Sequence, residues 1–123
     1  FSKKQLELLK DKADIYSGND NQTYDFVTNG GVGVVSVASH VVGDEISKMI
    51  SFAKDNDLEK AEEINMQLSN LFEAIFEEPS PGPIKKILSE SWEEVGEPLL
   101  PITSITPELA NKIRGFYKKI KEN

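Results

Sequence analysis

Four valines and no charged residue occupy residues 32–37, the run VGVVSV, which limits the folds open to this chain more than any other segment. A short, charge-free, β-branched run bounded by glycines is typical of a strand that is buried on both faces. Such a strand needs neighbouring strands on both edges and helices outside the sheet. The run therefore predicts an α/β fold in which this chain forms part of a larger sheet or barrel.

Three glycines, Gly30, Gly31 and Gly33, crowd the start of the run and raise the question of a phosphate-binding loop. A dinucleotide-binding fingerprint places its glycines after a strand, where they open a helix whose N-terminal amides face the pyrophosphate. Here the glycines lie between a predicted helix and the strand that follows it, so the order is reversed. This order disfavours nucleotide binding and favours a glycine that ends the helix.

A second strand precedes the valine run. Ile15 and Tyr16 favour extended backbone, and the turn-forming letters SGNDN that follow them stop the strand. Asp20 is the expected N-cap of a short helix through Val27, which the Asn-Gly pair at residues 29–30 ends. Strand, helix and valine run together predict a βαβ unit.

The remainder of the sequence has a helical pattern, because apolar residues recur at three- and four-residue steps. The proline-rich letters EEPSPGP separate two of these helices, and Thr106 followed by Pro107 is typical of an N-cap and a first helical residue. The predicted helices cover residues 46–53, 58–76, 83–92 and 107–120.

Charge and composition exclude several classes of function. The 123 residues carry a net charge of −7, no cysteine and one histidine. An acidic protein repels phosphate backbones and anionic lipid, so we expect neither nucleic acid nor a membrane as a partner. The lack of cysteine excludes disulfides and thiol chemistry, which fits a reducing cytoplasm. The chain begins at Phe1 rather than Met, so we expect that a segment was removed or that the sequence was cut from a longer one.

Two polar segments follow the predicted strands, SGND at residues 17–20 and ASH at residues 38–40. Parallel strands end at one edge of a sheet, and in α/β folds that edge carries the site, so these segments are expected to converge. Turn chemistry alone also explains the first segment. His40 is interpreted as a structural or rim residue, and a lone histidine predicts no metal site because metal ions need several ligands.

The letters IYSGND and GGVGVVSVASHV resemble the seventh and eighth strand segments of the dihydrodipicolinate synthase family, a (β/α)8 barrel family of pyruvate-dependent Schiff-base lyases and aldolases. The letters NLFEAIFEEPSPGPIKKIL and EPLLPITSITPE are similar to the helical segment that ends those proteins. The resemblance implies an α/β fold that is a partial TIM barrel, with its last two strands and their helices in residues 1–56. A C-terminal helical segment would then occupy residues 57–123.

The resemblance also implies a reaction. Members of this family condense pyruvate with aspartate semialdehyde on the route to diaminopimelate and lysine, need no cofactor and are often homotetramers. A barrel lysine forms an imine with pyruvate, and the resulting enamine attacks the aldehyde. By resemblance, that lysine and the proton-relay residues belong to the first six strands, upstream of Phe1. This chain would then contain no catalytic residue and be inactive alone, and none of Lys48, Lys54, Lys85 and Lys86 is expected to replace the imine lysine, because none lies in a predicted strand.

By the same resemblance, three residues are expected to bind substrate. The carbonyl of Val35 would face the imine nitrogen and bound pyruvate, and Gly18 with Asn19 would line the same cavity. Asn19 stands where an aspartate is common, which removes a charge. Two alternatives remain open: a non-catalytic helical fragment that self-associates, and part of a neuraminate lyase or keto-deoxy sugar acid aldolase, although those branches carry different residues after the eighth strand.

Overall fold

The computed structural model describes residues 3–123, which separate into two units, one reaching to Met66 and the other beginning at Gln67. The first two residues of the predicted barrel part therefore lie outside the described residues. The protein is α/β and mostly helical. Its described elements are α1 (Lys3–Leu9), β1 (Tyr16–Ser17), a 3₁₀ turn (Asp20–Gln22), α2 (Thr23–Thr28), β2 (Gly33–Val34), α3 (Ser39–Lys54), α4 (Leu58–Ala74), α5 (Gly82–Ser91) and α6 (Pro107–Glu122).

The two strands of the first unit are parallel and are joined through α2, so the predicted βαβ unit is confirmed. Tyr16 lies opposite Gly33 and Ser17 opposite Val34. The pairing continues past β2, because the Val35 amide donates to the Ser17 carbonyl oxygen at 2.8 Å. Helices α2 and α3 pack against each other. The apolar side chains buried in this unit are Leu6, Phe26, Val27, Ala38, Val41, Val42, Ile46, Met49 and Ala61.

Gly30 ends α2, as the sequence predicts. Its φ of 102° lies in the left-handed region that glycine adopts without a steric penalty. The Gly31 amide donates to the Phe26 carbonyl at 2.9 Å and the Gly30 amide to the Val27 carbonyl at 3.1 Å. This pair of bonds is a Schellman motif, which satisfies carbonyls that the helix end leaves unpaired. The glycines before the valine run therefore close a helix and turn the chain into β2.

The valine run departs from its predicted burial. Only Gly33 and Val34 pair as strand, and the Val35 side chain is 74% exposed. Burial on both faces requires strands on both edges and helices outside, whereas the described residues supply one neighbouring strand, β1. The prediction of a six-residue strand buried on both faces is therefore wrong for this chain.

The prediction that Asp20 caps α2 is also wrong. Asp20 is the first residue of the 3₁₀ turn, and Gln22 occupies the N-cap position of α2 without a side-chain cap bond. Local turn chemistry favoured an N-cap there, but the Asp20 carboxylate instead binds donors that follow β2, 16 to 18 residues further along the chain.

Helices α3 and α4 are separated by a sharp turn at residues 55–57. Asn56 adopts a φ of 61°, and the Asp57 amide donates to the Phe52 carbonyl at 2.9 Å. Asn is the residue other than glycine that most readily takes this left-handed conformation. The Asp57 side chain then accepts from the Lys60 amide at 3.4 Å and caps α4. The break and fresh cap predicted at this position are confirmed.

The second unit packs α5 against α6. Its buried apolar side chains are Leu68, Leu71, Phe72, Ala74, Ile75, Ile84, Ile87, Leu109, Ala110, Ile113 and Ile120. Thr106 caps α6 as predicted, because its side chain accepts from the Leu109 amide at 3.3 Å. The Glu78 carboxylate in turn accepts from the Thr106 amide at 3.1 Å and from its hydroxyl at 2.6 Å. A remote carboxylate thus holds the start of α6.

A bidentate ion pair links α5 to α6. Arg114 donates through Nε and Nη2 to the two oxygens of Glu90, at 2.9 and 2.8 Å. Lys86 Nζ lies 3.2 Å from the same carboxylate. Hydrogen bonding by Arg114, together with Lys86, holds the pKa of the Glu90 carboxyl below its usual value of about 4.5. The pair therefore stabilises the fold while Glu90 is ionised.

We expect Gly31→Ala to destabilise the first unit. A methyl group there would overlap the Phe26 ring and lie 2.9 Å from the Phe26 carbonyl oxygen, so buried atoms must move. Overpacking of this kind costs about 1–3 kcal/mol. Gly115→Ala in α6 is the control, because its methyl meets nothing within 4 Å. Thermal unfolding should show a lower transition temperature for the first variant alone, and equal temperatures would contradict this close approach.

We expect Arg114→Met to lower stability at pH 7 by about 0.5–1 kcal/mol, the range of a well-formed surface ion pair. Because the pKa of Glu90 is lowered in the folded chain, the stabilisation is present above its usual value and is lost as the pH falls through the folded value. Urea unfolding should therefore separate variant and wild type at pH 7 and bring them together near pH 3. A difference that persists undiminished in acid would contradict the role of this pair.

Candidate functional site

The segments that follow β1 and β2 lie at one edge of the sheet, because parallel strands end on the same side. Gly18 and Asn19 follow β1 directly, and Val35 follows β2. The bond from the Val35 amide to the Ser17 carbonyl draws the two segments together. The predicted convergence of two polar strand ends is confirmed by this bond and by those of Asp20.

Asp20 joins the two segments through its side chain. One carboxylate oxygen accepts from the Ser36 hydroxyl, and the other accepts from the amides of Val37 at 3.1 Å and Ala38 at 3.0 Å. Only 2% of Asp20 is exposed. We call this set of bonds the Asp20 clamp. A buried carboxylate with three donors is stably held, because each oxygen finds partners that replace water.

The clamp sits where α3 begins. Ala38 is the N-cap of α3, and the Ser36 hydroxyl also accepts from the Ser39 amide at 2.8 Å. Unpaired amides give a helix start a partial positive charge, which favours a carboxylate beside it. The negative charge of Asp20 is therefore offset by backbone dipoles and a hydroxyl.

The turn after β1 is held by short-range bonds. The Ser17 hydroxyl donates to the Asn19 carbonyl at 3.0 Å and accepts from the Asn19 amide at 3.1 Å. The Asn19 side chain is exposed, and its Nδ2 donates to Gln22 Oε1 at 3.4 Å. Gly18 is exposed too, and a methyl group added there would meet nothing within 4 Å. Both residues thus present an open surface at the edge of the sheet.

His40 lies in the first turn of α3 and is exposed. It follows the end of β2, which agrees with its interpretation as a rim residue, while any role for it stays a prediction. Within the part of the chain that the structure describes, His, Asp and Glu side chains form no group of three that could hold a metal ion. No helix within residues 3–123 combines the length and apolarity needed to span a bilayer.

The four lysines considered as imine formers all lie on helices: Lys48 and Lys54 on α3, Lys85 and Lys86 on α5. Neither strand within residues 3–123 contains a lysine. The prediction that none of these four lysines lies in a strand is thus confirmed.

The sequence predicts that the segment containing Asp20 converges with residues 38–40, but it does not predict the bond between the Asp20 carboxylate and the Ser36 hydroxyl. Asp20 was interpreted as a helix cap, and Ser36 as part of a buried strand. One signal was available: a carboxylate and a hydroxyl occur in the segments that end two neighbouring parallel strands. Because such ends meet at one edge, this pairing could have indicated a contact between them.

A parallel βαβ unit whose strand ends gather polar groups at one edge is the arrangement of α/β proteins that bind ligands at that edge. The sequence model of the dihydrodipicolinate synthetase family matches residues 2–120. The chain belongs to this family.

Individual relatives agree with this assignment. The 4-hydroxy-tetrahydrodipicolinate synthase of Microcystis aeruginosa is 50% identical over 106 residues, which are 86% of this chain and 36% of that protein. The dihydrodipicolinate synthase of Cyanidioschyzon merolae, solved with lysine bound, superposes with a TM-score of 0.83 at 38% identity. The match covers 88% of this chain and 37% of the Cyanidioschyzon chain. The chloride-inhibited dihydrodipicolinate synthase of Acinetobacter baumannii, solved with pyruvate, superposes with a TM-score of 0.89 at 25% identity. The match covers 97% of this chain and 41% of the Acinetobacter chain. The chain spans well under half the length of these relatives.

Proposed function

We propose that this chain is the C-terminal part of a pyruvate-dependent Schiff-base lyase that condenses pyruvate with aspartate semialdehyde in the diaminopimelate and lysine pathway. The observation that carries the proposal is the convergence of two parallel strand ends, fixed by the Asp20 clamp, in a chain of this family. A relative solved with pyruvate supports the substrate. Aspartate semialdehyde is proposed as the second substrate from the family resemblance, since the name of the relatives gives only the product, 4-hydroxy-tetrahydrodipicolinate.

In this proposal residues 1–56 supply the last two strands of a (β/α)8 barrel with their helices, and residues 57–123 form the helical segment after it. The exposed Val35 side chain supports an incomplete sheet, since a barrel strand is normally covered on both faces. The chain matches only about a third of its Microcystis relative, which leaves length for the other strands. Self-association of the whole protein stays a prediction.

Substrate binding is assigned to Val35, Gly18 and Asn19. The Val35 carbonyl would accept a hydrogen bond from the protonated imine, which stabilises the charge that develops there. Gly18 would leave room for pyruvate, and Asn19 would offer a neutral amide where the family resemblance implies an aspartate. Their common place at the sheet edge supports the assignment. In this proposal the imine lysine comes from another part of the protein, which agrees with the two described strands, neither of which contains a lysine.

Fusing this chain behind the N-terminal part of the Microcystis aeruginosa synthase tests the proposal. After treatment with pyruvate and borohydride, which reduces an imine to a stable amine, mass spectrometry should find one pyruvate adduct, on the Microcystis part. This chain alone should remain unlabelled. An adduct on this chain alone would contradict the assignment of the lysine. A fusion that unfolds cooperatively yet takes no label would favour the non-catalytic, self-associating alternative.

Gly18→Ala in the same fusion tests the assigned cavity. The added methyl meets no atom within 4 Å, so we expect unchanged thermal unfolding. A methyl group inside a substrate cavity should raise the KM for pyruvate by about tenfold or more, because steric exclusion of one carbon costs that much. Gly115→Ala is the control and should leave the KM unchanged. An unaltered KM in both variants would remove Gly18 from the site.

A further inference from the structure

We infer that Asp20 is a positioning residue for the reaction: through the Asp20 clamp it fixes the peptide between Val35 and Ser36, whose carbonyl is assigned to the imine. The inference rests on the proposed function and extends it to a residue that does not itself touch substrate. Asp20 is buried and faces the loop after β2 rather than solvent.

The peptide that carries the Val35 carbonyl is held on both sides. Upstream, the Val35 amide donates to the Ser17 carbonyl oxygen at 2.8 Å. Downstream, the Ser36 hydroxyl and the next two amides donate to Asp20. Within residues 3–123 the β1–β2 pairing ends with this Val35 bond, so the bonds to Asp20 hold the peptide from its other side. The two attachments therefore set the direction of its carbonyl.

Removing the carboxylate would force this loop to change. Ala38 is fully buried, so its amide would lose its partner without gaining water. Buried amides without partners are rare in folded proteins, so the backbone rearranges until they are satisfied. The Ser36 hydroxyl would lose its acceptor at the same time. Because the loop backbone then takes a different path, we expect the Val35 carbonyl to rotate.

The alternative is that Asp20 only stabilises the start of α3. The second unit supplies a matched control for that reading, because Glu78 holds the start of α6 with a carboxylate in the same way, through the Thr106 amide and hydroxyl. Loss of either carboxylate should lower stability. Only loss of Asp20 should alter the chemistry if it positions the carbonyl.

The experiment compares Asp20→Ala with Glu78→Ala in the fusion with the Microcystis part, both measured well below their unfolding temperatures. We expect both variants to unfold at lower temperature than the parent. Asp20→Ala alone should slow borohydride-trapped imine formation, by on the order of tenfold to a hundredfold, because a displacement of about 1 Å at a reacting centre has effects of that size. Its kcat should fall more than its KM for pyruvate rises.

Ser36 gives a second test that does not depend on how well Asp20→Ala folds. Ser36→Ala removes one of the three donors and should slow trapping by a smaller factor, and Ser36→Thr, which keeps the hydroxyl, should restore the parent rate. Equal trapping rates in all variants of a parent that forms the imine would overturn the positioning role and leave the proposed function intact. A folded parent that forms no imine would overturn both.

Discussion

The buried carboxylate of Asp20 is the interaction on which the arrangement of the strand ends depends. Burying a charged group without compensation is far more costly than any single packing contact. Here two amides, one hydroxyl and the start of α3 surround it, so the charge is tolerated only while the segments after β1 and β2 keep their relative position. The sheet itself is too short for this task, since each strand has two residues. The geometry of the edge is thus set mainly by electrostatics and hydrogen bonding rather than by a β-ladder.

The same device occurs in both units. Glu78 binds the backbone and the hydroxyl of Thr106 before α6, as Asp20 binds Ser36 and the amides before α3. In each case the carboxylate comes from well upstream in the chain and joins an irregular segment to the start of a helix. Irregular segments lack the repeated bonds of helices and strands, and one bidentate acceptor replaces several of them. The difference lies in surroundings: Asp20 is buried at the strand ends, whereas Glu78 is partly exposed.

Features that depend on neighbouring residues could be predicted from the sequence. The helix end at Gly30, the break before α4 and the cap at Thr106 follow from backbone preferences of single residues and are all observed. The role of Asp20 could not be read in this way, because its partners lie 16 to 18 residues away and turn chemistry offered a local alternative. The exposure of Val35 escaped prediction for a different reason. A charge-free run indicates that neighbouring strands and helices have to bury it, but it does not indicate whether the same chain provides them.

The brevity of β1 and β2 limits what the edge of this sheet offers to other molecules. An open edge of apolar strand invites pairing with other molecules, and the risk grows with the length of strand on display. Two residues per strand offer very few unpaired backbone groups, and the Asp20 clamp occupies the amides of Val37 and Ala38 just beyond β2. The segment is therefore a poor template for cross-β growth despite its valines. The bonds that hold the loop thus also keep these two amides from pairing with another chain.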